Sequence, residues 1–102
     1  MGSIYRFRCP GCDYMAEVSG GRDAGMVAVV KTMTCLNCKE LVDVLIGRYG
    51  EAGPTGDPEY DKDLNICPRC RGHNIRPWPR YYPCPRCKEY MIKEHGIICL
   101  WD

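Results

Sequence analysis

The sequence predicts a small, mostly β fold held together by bound metal, and three observations predict it. The chain has 102 residues, room for one ordinary domain or two very small ones. Eight of its nine cysteines fall into four C-x-x-C pairs: Cys9/Cys12, Cys35/Cys38, Cys67/Cys70 and Cys84/Cys87. The stretches around them are short, alternating and rich in β-branched residues, the pattern of strands rather than helices.

Spacing suggests how the cysteines are shared. Thirteen residues separate Cys70 from Cys84, and 22 separate Cys12 from Cys35. The shorter interval is the spacing of a four-cysteine zinc ribbon. Pairing along the chain closes the shortest loops. It puts Cys9, Cys12, Cys35 and Cys38 in a first site and Cys67, Cys70, Cys84 and Cys87 in a second. The 28 residues between Cys38 and Cys67 leave a cross-brace open, in which Cys9/Cys12 share a metal with Cys67/Cys70. The expected architecture is thus two tandem four-cysteine zinc ribbons of antiparallel hairpins. Residues 1–48 form the first, 49–65 a Gly/Pro/acidic linker and 66–102 the second. Units of roughly 40 residues sit near the size at which an apolar core alone no longer suffices. A structural zinc site supplies on the order of 10–16 kcal/mol, coupled to folding.

The elements follow in order. Tyr5–Cys9 alternates and enters the first knuckle as a strand; Tyr14–Ser19 leaves it as another. Gly20–Gly25 is a turn-rich tip. Met26–Cys35 and Leu41–Ile46 are β-branched runs on either side of the second knuckle, and their Val and Ile content opposes a helix over 39–46. Residues 47–65 hold four glycines, two prolines and five carboxylates against Arg48 and Lys62, which suits a linker or an ordered loop with little core of its own. Asn74–Trp78 and Arg80–Cys84 suit short strands, limited by Pro77, Pro79 and Pro83. Tyr90–Lys93 and Ile97–Trp101 suit a hairpin turning at Glu94-His95-Gly96. No substantial helix is expected.

The formal net charge of +1 conceals an uneven distribution. Residues 51–65 carry one basic and five acidic side chains; residues 66–102 carry seven and three. Each four-thiolate zinc centre adds a 2− unit, because every ligand must lose its proton. Arg71, Arg76, Arg80 and Lys88, interleaved with Trp78 and Tyr81, form a candidate nucleic-acid-binding stretch. Cations meet phosphates and aromatic faces stack on unpaired bases. The competing reading is structural: arginines beside the cysteines offset the metal centre, and Trp78 and Tyr82 supply the core.

Four cysteines per site leave no open coordination position, so catalysis at the metal is not expected. Two Zn²⁺ are expected, although iron suits the same ligands. Thiol redox chemistry expects one C-x-x-C pair beside a βαβ pattern, which is not found here. His73 and His95 read as turn residues. Cys99, on one face of the last strand, reads as a small buried hydrophobe. No apolar h-region and no run of ~20 apolar residues occurs, so a membrane partner is not expected and a reducing, cytoplasmic setting is. No motif for a small-molecule substrate is present.

Cys67-Pro68-x-Cys70, His73-Asn74-Ile75, Trp78 and Cys84-Pro85-x-Cys87 together resemble the second ribbon of small zinc-ribbon proteins with rubredoxin-like knuckles. The opening Tyr5-x-Phe7-x-Cys9-Pro10-x-Cys12 resembles the start of bacterial regulatory zinc ribbons of the FmdB type. Those families often carry glycine just after the second cysteine of a pair. Here Asp13, Lys39, Arg71 and Lys88 stand there, which implies non-glycine residues in left-handed turn positions. The function expected is that of a non-enzymatic, nucleic-acid-associated regulator acting through the second ribbon. The alternatives are a protein-interaction adaptor and a rubredoxin-like iron electron carrier.

Overall fold

A computed structural model describes residues 2–87 and 89–101. Strands β1 (Gly2–Arg8) and β2 (Met15–Val18) form an antiparallel hairpin with the first knuckle at its tip. After β3 (Arg22–Ala24), β4 (Ala28–Cys35) and β5 (Glu40–Arg48) form a longer hairpin around the second knuckle. The expected strands on both sides of these knuckles are present. The expected tip at 20–25 contains β3, which lies along β4.

The sequence of β5 sets the layers. Val42, Val44 and Ile46 alternate onto one face, where they pack with Val29, Cys35 and Cys67. Leu41 faces the other way and joins Phe7, Tyr14, Ala16, Val18, Trp78 and Met91. Asp43 shares that second face and ties the sheets together. Its carboxylate accepts from the Ser19 amide at 2.9 Å, from the Ser19 hydroxyl at 3.1 Å and from the Thr32 hydroxyl. Thr32 is buried and accepts from the Gly20 amide at 2.8 Å.

Residues 47–65 are an ordered loop. At Gly47 a Cβ would stand 1.8 Å from the Glu51 carbonyl oxygen, so only glycine permits the close return to β6 (Glu51–Ala52). One helical turn, α1 (Pro58–Asp61), is capped by Asp57, whose side chain accepts from the Glu59 amide. Asp61 accepts from Thr55 and Gly56, bonds that hold its carboxyl below the ordinary range. Tyr60 donates to the Gly47 carbonyl at 2.9 Å.

The C-terminal third does not stand apart. Strand β7 (Ile75–Pro77) pairs with β4 and is the fifth strand of the sheet ordered β3-β4-β5-β6. Strands β8 (Ile92–Lys93) and β9 (Cys99–Trp101) both pair antiparallel with β1. The hairpin expected at 90–101 is therefore replaced by one interrupted edge strand. Lys93 lies opposite Phe7 and Cys99 opposite Ile4, so the residues between them loop out around Gly96. The strand expected at 80–84 reduces to one bridge, Pro83 with Tyr90. The 1–48 and 66–102 units are thus interleaved through paired strands, not strung in tandem. The fold is small and mostly β, with antiparallel sheets and two cysteine tetrads.

Candidate metal centres

Each knuckle is built by local bonds. The amides of Asp13, Lys39 and Arg71 donate back to the carbonyls of Cys9, Cys35 and Cys67 at 2.8–2.9 Å. Those residues take φ values of 62°, 54° and 62°, the left-handed turn positions expected of them. Lys88, the fourth, lies outside the described residues. Amides of Cys38, Arg69 and Arg86 point at the sulfurs of Cys35, Cys67 and Cys84, each at 3.4 Å. In every pair the first cysteine is buried and the second more exposed. The first sulfur is thereby anchored in a core, and the second closes the site from the solvent side.

The pairing differs from both sequence expectations. Cys9 and Cys12 converge with Cys84 and Cys87, and Cys35 and Cys38 converge with Cys67 and Cys70. The arrangement is nested: an inner tetrad and an outer one, each drawing on both halves of the chain. The physical reason lies in the strands. β7 docks the third knuckle beside the tip of the β4–β5 hairpin, and β8 docks the fourth beside the tip of β1–β2. Sequential pairing is favoured by loop closure only by about 1 kcal/mol. Burying one large apolar side chain in the shared core contributes about 1.5–3 kcal/mol.

The sulfurs fit a metal ion. The pairs Cys9–Cys87, Cys12–Cys84, Cys35–Cys70 and Cys38–Cys67 stand 3.3, 3.6, 3.7 and 3.9 Å apart. A tetrahedral ion with metal–sulfur bonds of about 2.3 Å has sulfur–sulfur edges of about 3.8 Å. Crowding among the sulfurs also shows in the proton affinity of Cys38. Its hydrogen bond with Cys35, then burial and the other sulfurs of its tetrad, push the Cys38 thiol up to about 12. Protons held this way are what a bound cation displaces.

The arginines beside the ligand cysteines are engaged. Arg69 and Arg86 approach the same carboxylate, Glu40, at 3.7 and 3.8 Å. Arg86 also donates to the Lys39 carbonyl at 3.2 Å and stacks over the Tyr14 ring. Arg71 pairs with Asp63, whose carboxyl is held low by that hydrogen bond. Arg76 and Arg80 are exposed.

Trp78 does not join them at the surface. It is 6% exposed, its Nε1 donates to the Pro83 carbonyl at 2.7 Å, and its ring packs on Phe7 and Tyr82 at about 5 Å. It is a core residue and offers no face to a base. Tyr81 is exposed and meets Tyr90 edge-on. Lys88, also named with that stretch, lies outside the described residues. Cys99 is exposed, not buried, because β9 meets solvent on both faces there: Leu100, its neighbour on the opposite face, is exposed as well. Glu40 and Asp43 carried no sequence signal; each lies in a strand whose alternation alone does not say what it will face.

Fold and site define a small β protein with two cysteine tetrads positioned to bind metal ions. No protein family, curated protein or solved structure significantly matches this chain. No described helix is long and apolar enough to cross a membrane.

Proposed function

We propose that both tetrads hold Zn²⁺ as closed structural sites and that the protein is a non-enzymatic adaptor. Its docking edge is the C-terminal strand. Four thiolates fill a tetrahedral ion, which leaves no position for substrate or water. The docking role is carried by one observation: Ile97, Ile98 and Leu100 lie exposed along a segment whose outer edge has no strand partner among the described residues. Edge strands are ordinarily guarded by charge or proline, and Ile97-Ile98-Cys99-Leu100-Trp101 has neither. An extended segment of a partner protein could add to this edge by main-chain pairing, with apolar side chains meeting Ile98 and Leu100.

A second reading keeps nucleic acid as the partner. It is supported by the exposure of Arg76, Arg80 and Tyr81 and weakened by the burial of Trp78 and by the pairing of Arg71 with Asp63. A pull-down from the native host decides between them, with protein and nucleic acid both identified. Protein capture that is lost in Leu100→Lys, at unchanged zinc content, supports the adaptor. Nucleic acid that is released by salt and indifferent to Leu100→Lys would replace it with the regulator. An iron electron carrier would instead show thiolate-to-iron absorption bands in protein purified from its host.

A further inference from the structure

The nested pairing gives the two centres unequal and dependent tasks. Cys38 and Cys67 are 29 positions apart, and Cys12 and Cys84 are 72 apart. The probability of loop closure falls as the three-halves power of length, so the inner tetrad closes about four-fold more readily. Once it is closed, the outer loop no longer runs through the whole intervening chain. It consists of the stretches 12–35 and 70–84, roughly half the length, which favours outer closure about three-fold.

Contacts between the centres add to this. Arg69 belongs to a knuckle of the inner tetrad and Arg86 to a knuckle of the outer one. Both converge on Glu40, which closely follows the inner knuckle Cys35–Cys38. Arg86 is fixed further by the Lys39 carbonyl, and the Lys39 amide is bonded to the Cys35 carbonyl. The Arg86 guanidinium also lies over Tyr14, whose hydroxyl accepts from the Leu41 amide at 2.9 Å. Ordering the inner knuckle therefore presents the groups that receive Arg86. Arg86 sits between the outer ligands Cys84 and Cys87.

We infer that the tetrads load in order and reinforce each other: the inner one fills first and raises the affinity of the outer, partly through Glu40. The inference rests on both tetrads being zinc sites. Coupling of this kind is reciprocal, so the outer ion stabilises the inner one by the same factor.

The test uses the full reduced, metal-free chain with Zn²⁺ alone. Native mass spectrometry at one equivalent counts chains with no, one and two ions, and thiol alkylation locates the protected cysteines. Independent sites leave about half of the chains singly loaded when they are equal, and more than half when one is preferred as the inner tetrad is. Coupling predicts fewer, with Cys35, Cys38, Cys67 and Cys70 protected first. Glu40→Gln should raise the singly loaded fraction while two ions still bind at saturation. Two ions at saturation with half or more of the chains singly loaded would overturn the coupling alone, as would protection of the outer tetrad first. An unchanged fraction in Glu40→Gln would overturn the role of Glu40. Failure to reach two ions at saturation would overturn the zinc reading and this inference with it.

Discussion

The sulfur of Cys9 lies 3.3 Å from the sulfur of Cys87, although 78 positions separate them in the chain. A single ion there would tie the first hairpin to the last knuckle. The inner tetrad does the same for the β4–β5 hairpin and the segment before β7. An ion in either tetrad would thus bridge both halves. Cys70→Ser should perturb amide resonances in 28–48 as well as in 66–77. Shifts confined to 66–102 would contradict the nested pairing.

Removal of metal should unfold more than the knuckles. A structural zinc ion in a tetrad would contribute on the order of 10–16 kcal/mol, more than a core of this size supplies. A strong chelator should abolish the cooperative thermal transition, and Zn²⁺ should restore it. A chelated chain that keeps its transition would show that the strands stand without the ions.

Trp78 and Tyr81 should separate core from surface. Trp78→Ala removes a buried ring from Phe7 and Tyr82 and should destabilise the protein by about 3–5 kcal/mol. Tyr81→Ala should stay within about 0.5 kcal/mol. Denaturant midpoints measured with zinc bound decide this. Equal, small effects would return Trp78 to the surface.

Lys39 holds a left-handed conformation that costs a side-chain-bearing residue about 1–2 kcal/mol. Its carbonyl, the acceptor for Arg86, is main chain and survives substitution. Lys39→Gly should therefore raise stability by about 0.5–1 kcal/mol, net of the greater freedom of glycine in the unfolded chain. A loss of stability would mean that the lysine side chain contributes more than its backbone costs.

Asp43 should give stability a pH dependence. Burial pushes its carboxyl above the ordinary value, outweighing the bonds from Thr32 and Ser19. The folded state then holds a proton that the unfolded state releases, so this group favours folding less as pH rises. Asp43→Asn removes that titration. The advantage of the native residue over asparagine should grow as pH falls through the raised value towards the unfolded one. Urea titrations of both proteins over that range, zinc saturated, would show it; a constant difference would mean that Asp43 titrates normally.

The candidate metal ligands, the strands around the first two knuckles and the left-handed residues at Asp13, Lys39 and Arg71 were legible in the sequence. These are local matters. A C-x-x-C turn closes through bonds four residues apart, and β-branched alternation needs only a sheet on which to lie. Which pairs come together in one tetrad was set by long-range packing. Any two knuckles complete the same four-sulfur set, and loop entropy separates the alternatives by only about 1 kcal/mol. The choice fell to long-range pairing, β7 against β4 and β8 against β1, and to the core those strands enclose. The same pairing turned Trp78 inward and left Leu100 facing out, because a residue's face depends on the strand beside it as well as on its own alternation.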